Sequence, residues 1–120
     1  MALTIANSAR QAALNAITAL LDGGNFQLRA STTPLADLPF QTSGGAFQSA
    51  SSASPSTAVS NTIASDNTPT AGTIDNFQLQ NAGGTSIIAG SVGTSGTDLV
   101  VTDNVIPSGA TSVSCPGGLT

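Results

Sequence analysis

Hydrophobic residues in this 120-residue chain follow one spacing near the N-terminus and another over the rest. The first group recurs every three or four positions, which places it on one stripe of an α-helix; its members are Ile5, Ala9, Ala12, Ala13, Ala16, Ile17, Leu20 and Leu21. Thr4 or Asn7 suits the start of this helix, and Gly23 or Gly24 suits its end. The pattern predicts a helix from about residue 6 to 22. We expect its Ala-rich stripe to pack in the core rather than against a membrane or a partner helix.

After the helix the period changes to two. Phe26, Leu28 and Ala30 alternate with polar residues, as in a strand with one buried face, and the Thr-Pro pair at 33–34 ends that strand. The following apolar stretch contains Pro39, which lacks the N–H that a central strand needs. This stretch is therefore predicted to be an edge segment or a turn.

Residues 41–57 consist mainly of Ser, Gly and Ala, with Phe47 as the only large apolar side chain. This composition predicts a long flexible loop that becomes ordered when a neighbouring molecule covers it.

Short strand patterns then recur at 59–64, 73–80, 85–92, 99–101, 105–107 and 111–115. Residues 81–84 read Asn-Ala-Gly-Gly, which suits the turn of a hairpin. Short strands joined by turns, without helical patterns between them, are typical of sandwiches and small barrels. The sequence predicts a mainly β single domain, residues 1–120. It has one N-terminal α-helix followed by an antiparallel β-sandwich or small barrel over about residues 25–115.

The composition leaves few residue types that could act in catalysis. The chain has no His, Lys, Glu, Tyr or Trp, and only 7% of its residues are charged. Most active sites move protons with His, Glu or Lys, so we expect no enzyme activity, no catalytic residue and no cofactor. The six Asp residues lack the spacing of a calcium loop, and the Gly-Thr-Ser-Gly run at 93–96 lacks the Lys of a phosphate loop. No metal site is predicted either.

The formal net charge of −4, with only Arg10 and Arg29 as cations, opposes binding to nucleic acid. No apolar run is long enough to cross a membrane, and the first residues do not resemble a signal peptide. We therefore expect synthesis in the cytoplasm and no membrane partner. Cys115 is the only cysteine, which excludes an intrachain disulfide; without a His to activate it, we expect a small, partly buried side chain.

Few large hydrophobic residues are available to build a core, so the chain gains stability by burying more surface against neighbours. A homo-oligomer is expected. The candidate interface residues are Arg10 and Arg29, the two cations, together with Phe40 and Phe47, two of the four aromatic residues.

Several segments carry a family resemblance; they are residues 8–17, 20–24, 28–29, 33–34, 47, 75–77 and 90–99. Together they resemble small structural proteins of tailed bacteriophages. In that group a helix ending in Leu-Leu-Asn/Asp-Gly-Gly precedes an Arg-bearing strand, and a Gly-Ser-Val-Gly turn leads into an Asp-Leu strand. The resemblance implies a capsid decoration (cement) protein on the virion surface, bound as a homotrimer to the major capsid protein or other virion proteins.

Two other functions stay open at this point. One is a structural role in the phage tail or neck. The other is a host-surface or glycan-binding adhesin module, which would be expected to expose aromatic residues, and only 3% of this chain is aromatic. The decoration role is favoured over both.

Overall fold

The computed structural model describes residues 3–116 and 118–120. Within this part of the chain, one helix precedes seven strands. They are α1 (Asn7–Ala19), β1 (Asn25–Ala30), β2 (Thr33–Pro39), β3 (Gly72–Thr73), β4 (Asn76–Gln80), β5 (Ser86–Gly93), β6 (Leu99–Val100) and β7 (Val105–Ile106). The protein is mainly β with an N-terminal helix, as the spacing of its hydrophobic residues predicts.

The helix is shorter than the predicted 6–22. Ala6 precedes it in an extended conformation, and neither Thr4 nor Asn7 supplies the expected side-chain cap at that position. At the other end, the N–H groups of Leu20 and Leu21 donate to carbonyls three residues back, so the last turn is tighter than an α-helix. Gly23 then adopts the predicted left-handed conformation, with φ of 76°.

Five strands form one sheet in the order β2-β1-β4-β5-β6. β1 lies inside the sheet and pairs antiparallel with both β2 and β4. β2 carries Pro39 at the sheet edge, which confirms the predicted edge segment. β4 and β5 form the predicted hairpin, in which Asn81 Oδ1 accepts hydrogen bonds from the N–H groups of Gly83 and Thr85.

The sheet differs from the predicted antiparallel sandwich or barrel in two ways. β5 and β6 run parallel, and the five-stranded sheet does not close on itself. The second sheet contains only β3 and β7, each two residues long. Segments 59–64 and 111–115, predicted as strands, form isolated bridges instead.

The backbone hydrogen bonds of segment 59–64 explain why no continuous strand forms there. The N–H of Ser60 donates to the carbonyl of Leu119, and the N–H of Asn61 donates to Ala46. Ala64 donates to Pro39. A ladder requires successive donors to face one partner strand, whereas these three face three separate segments.

The core lies between the sheet, the helix end and the segments that cross above them. Its buried hydrophobic members are Leu21, Phe26, Leu28, Leu35, Ala36, Leu38, Phe40, Ala46, Ile63, Ile74, Leu79, Val92 and Ile106. The Phe26 ring meets the Phe77 ring edge-on at 5.9 Å between centroids, an arrangement that aromatic pairs favour. The helix joins this core through Leu21, which is fully buried.

Residues 41–57 have the irregular backbone that was predicted, but they pack against the rest of the chain. Ala46 and Ala50 are buried. The N–H of Ala46 donates to Asp22 Oδ1 at 2.8 Å, and the N–H of Ala50 donates to Asn15 Oδ1 at 2.8 Å. The Gln11 amide donates in return to the Ala50 carbonyl, also at 2.8 Å. This loop is therefore part of the fold, and its mobility stays a prediction.

The molecule exposes more surface than a typical folded monomer of its mass. Its accessible surface is 6727 Å², compared with about 5,900 Å² for a typical folded monomer of 11.7 kDa. Its dimensions are 55 × 33 × 24 Å, and its radius of gyration is 15.5 Å, compared with about 14 Å for a compact domain of this length. The excess area is close to what one partner buries in a standard protein interface, about 800 Å².

Candidate functional site

The helix presents its apolar stripe to solvent. Six side chains on this side, which we call the outer helix face, are exposed: Ala9, Ala12, Ala13, Ala16, Ile17 and Leu20. Ile17 is 42% exposed and Leu20 is 56% exposed. The prediction that this stripe packs in the core is wrong, except at Leu21, which follows the end of α1 and is buried.

The inward side of α1 is partly polar, because its side chains form hydrogen bonds with the loop at 41–57. Gln11 and Asn15 bond both backbone groups of the buried Ala50, and Thr18 is buried beside them. A buried peptide group without a hydrogen bond costs stability, so these amides fix the orientation of the helix. The sequence carries this signal, since polar residues recur at 11, 15 and 18 on a second helical stripe.

The four predicted interface residues lie in different places. Phe40 is only 2% exposed and belongs to the core, so its ring is not a surface anchor, contrary to the prediction. Phe47 is half-buried, with its ring 5.9 Å from that of Phe40. This contact between the two rings was not predicted from the sequence, because the start of the long loop separates the two residues.

The two cations do not meet in one patch. Arg10, near the start of α1, donates from Nη1 to Asn7 Oδ1 at 3.0 Å. Arg29, in the interior strand β1, donates from Nη2 to the Thr32 carbonyl at 2.8 Å, and its Nε is buried without a partner among the described residues. Arg29 thus bonds to its own turn, whereas the Arg10 guanidinium, among the residues that the structure describes, bonds only within its own helix.

A cavity of about 430 Å³ lies between the helix, the sheet and the chain end, and we call it the apolar groove. Leu14 of the helix and Leu21 just after it line the groove, together with Phe77 and Leu99 from the sheet side. Exposed residues of the lining, Ile88 among them, mark where it opens to solvent. Its size lies within the range of ligand pockets, about 300–1,000 Å³.

Three polar side chains of the groove lining, Thr18, Ser56 and Asp98, already have hydrogen-bond partners within the chain. The Thr18 hydroxyl donates to the Asn15 carbonyl at 3.2 Å, and the Ser56 hydroxyl donates to a backbone carbonyl. At the mouth, Asp98 Oδ2 accepts from the N–H of Ser91 at 2.9 Å and from its hydroxyl at 3.0 Å. The two hydroxyl groups are already used as donors and most of the lining is apolar, so the interior of the groove suits an aliphatic occupant.

Three surface carboxylates are held in their ionised form by hydrogen bonds. The backbone N–H of Ser91 and then its hydroxyl lower the pKa of Asp98. The side-chain amide of Asn76 and the N–H of Ser31 lower that of Asp75. For Asp66, slight desolvation raises the pKa, but donors from Asp37 and Thr68 together outweigh it, and the pKa of Asp66 is lowered. These bonds tie loops to strands.

Protein stability is expected to fall in acid because of these three carboxylates. A group whose pKa is lower in the folded state stabilises the fold above its unfolded pKa, near 3.8, and loses this contribution as the pH falls through the folded pKa. The urea midpoint should therefore decrease between pH 5 and pH 2. The Asp75→Asn variant should show a smaller decrease than the original protein; an unchanged pH profile would contradict the assignment.

Cys115 is half-buried, as expected, and burial raises the pKa of its thiol. In the described ranges, 3–116 and 118–120, no three Cys or Asp side chains lie close enough to hold a metal ion. The helix of the same part of the chain is too short to span a membrane.

Comparisons were made at three levels, against models of protein families, against curated proteins and against solved structures. None of the three gave a match for this chain. The outer helix face and the apolar groove are therefore the features on which a function is argued.

Proposed function

We propose that this protein is a non-enzymatic structural component of a tailed-phage virion, a decoration protein that binds the capsid shell as a homotrimer. The observation that supports docking onto another protein is the outer helix face. It is uncharged, it is apolar over the whole length of α1, and polar contacts on the opposite side hold it outward. Exposed contiguous apolar surface of this kind marks interaction sites.

The chemistry of this face favours a protein partner of low charge. Ala side chains let another backbone approach closely, while Ile17 and Leu20 supply larger contacts at one end of the helix. A membrane surface is disfavoured, because interfacial helices usually carry Lys and Arg around their apolar face and this helix has only Arg10. The excess surface of the molecule is of the size that such docking would cover. On the strength of the bacteriophage resemblance, the partner we propose is the major capsid protein or another virion protein.

The first test is the protein content of purified phage particles that carry this sequence. A decoration protein should be present at hundreds of copies per particle, on the outer surface. A few copies per particle would contradict the decoration role and favour a tail or neck role, and absence from particles would contradict any virion role.

Occupancy on particles should depend on the outer helix face. Ala16→Glu places a charge at its centre while keeping a residue that favours helix, so we expect binding to be lost through desolvation of the carboxylate. Ala82→Glu, in the exposed turn at 81–84, is the matched control and should bind normally. Thermal melting of both variants checks the fold. Unchanged occupancy of the Ala16→Glu protein would exclude this face from the interface.

A moderate rise in salt should release little protein from particles, because charge contributes little to the proposed contact. Release of intact protein under these conditions would show that the shell contact is electrostatic.

A further inference from the structure

We propose that the apolar groove is a self-assembly site, occupied by the N-terminal arm of a second copy of this chain. The arm consists of residues 3–6, which precede α1 and have no helical structure. Its two large side chains, Leu3 and Ile5, would enter the groove of the neighbouring copy. The proposal concerns contacts between copies and does not depend on the proposed binding to a capsid.

The arm carries exposed aliphatic side chains that match the apolar lining of the groove. Leu3 is 91% exposed and Ile5 is 59% exposed, the two most exposed large hydrophobic residues in the described chain. A cavity of about 150 Å³ lined by aliphatic and aromatic side chains already binds a benzene ring. The groove, at about 430 Å³, has room for both side chains. Burying them would remove apolar surface from water on both copies.

The charges around the two pieces are complementary. The mouth of the groove carries Asp98, an exposed carboxylate whose hydrogen bonds come from Ser91. The helix that follows the arm carries Arg10, whose guanidinium bonds to Asn7 within the same turn. When Ile5 of one copy enters the groove, Arg10 lies five residues further along the same chain. Electrostatic attraction between this Arg10 and Asp98 of the neighbouring copy would set the direction in which the arm enters the groove.

The second copy is favoured over the chain's own arm. In one molecule the groove is lined by Leu14 and Thr18 from the second half of the helix and by Leu21 just after it. About 16 Å of helix separate Asn7 from Thr18, so the arm would have to reverse direction to reach it. A contact between two different surfaces of the same chain can join copies head to tail into a closed ring. It can also join them by reciprocal exchange of arms.

Disulfide trapping tests the placement of the arm. Cys115→Ser is made first in every variant, so that only introduced thiols react. A Leu3→Cys protein is mixed under mild oxidation with a ¹⁵N-labelled Ile88→Cys protein, because Ile88 lies in the groove lining and is 37% exposed. We expect disulfide-linked dimers containing one labelled and one unlabelled chain. Val105→Cys, 50% exposed and away from the groove, is the matched control.

The size of the protein in solution provides a second readout. Leu3→Asp and Ile5→Asp together should shift the sedimenting mass from that of an oligomer to that of one chain, while circular dichroism stays unchanged. Equal cross-linking of Leu3→Cys to the Ile88→Cys and Val105→Cys proteins would overturn the proposal. So would an oligomer that survives both aspartates, or a disulfide that forms only within one chain of a Leu3→Cys, Ile88→Cys double variant. These measurements use purified protein, so their failure leaves the particle-binding tests independent.

Discussion

Replacing Gly24 with alanine is expected to lower the free energy of unfolding by about 3 kcal/mol or more, the largest loss expected from a Gly→Ala change at the glycines that the structure describes. Gly24 is buried between α1 and β1, where its N–H donates to the Leu21 carbonyl and its carbonyl accepts from Phe40. A Cβ here would overlap the carbonyl oxygen of Gln80 and lie 2.7 Å from its carbonyl carbon. These are backbone atoms of β4, so no side chain can rotate away.

Gly83→Ala is the matched control for this substitution. Gly83 lies in the exposed turn at 81–84, and an added Cβ would meet only Asn81 Oδ1 at 3.4 Å. A change within about 0.5 kcal/mol is expected there, as for most surface substitutions. Urea unfolding of both proteins gives the comparison. Equal stability of the Gly24→Ala and Gly83→Ala proteins would show that the junction between α1 and the sheet is looser than described.

The stability losses of the Leu20→Ala and Leu21→Ala variants should differ, because one leucine is exposed and the other is buried. Leu21 is fully buried and lines the apolar groove, so truncation is expected to cost about 3–5 kcal/mol through lost packing and a new cavity. Leu20 is 56% exposed on the outer helix face, and the same truncation should cost less than about 1 kcal/mol.

Unfolding of this pair should be measured on dilute protein, so that contacts between copies do not contribute. Similar losses for the two variants would mean that both leucines face the core, as the hydrophobic spacing alone predicts. The outer helix face would then not exist, and the particle-binding proposal would lose its support.

Short-range patterns predicted much of the local structure. Alternation at Phe26 and Leu28 predicted β1, and the Asn-Ala-Gly-Gly run predicted the hairpin between β4 and β5. Pro39 predicted a sheet edge, because proline cannot donate to a second neighbour. These features depend on backbone preferences of a few consecutive residues, which the sequence states directly.

The candidate site was harder to predict because it depends on contacts between distant segments. Phe47 was identified as an anchor, but its place beside the core Phe40 required the loop at 41–57 to fold back over the helix. The groove also depends on Leu119 and Leu99, which come from separate parts of the chain and carry no shared pattern. The parallel pairing of β5 with β6 could not be predicted from the sequence either, because it spans only two residues on each strand.

The sequence by itself determined that an apolar stripe and a polar stripe share one helix, that short strands follow, and that the chain has no His, Lys or Glu. Tertiary structure alone decided which stripe faces inward. Helical spacing states which residues share a side, but the inward side is the one that satisfies the rest of the fold. Here the buried peptide groups of Ala50 need hydrogen bonds from Gln11 and Asn15, and this requirement turns the apolar stripe outward.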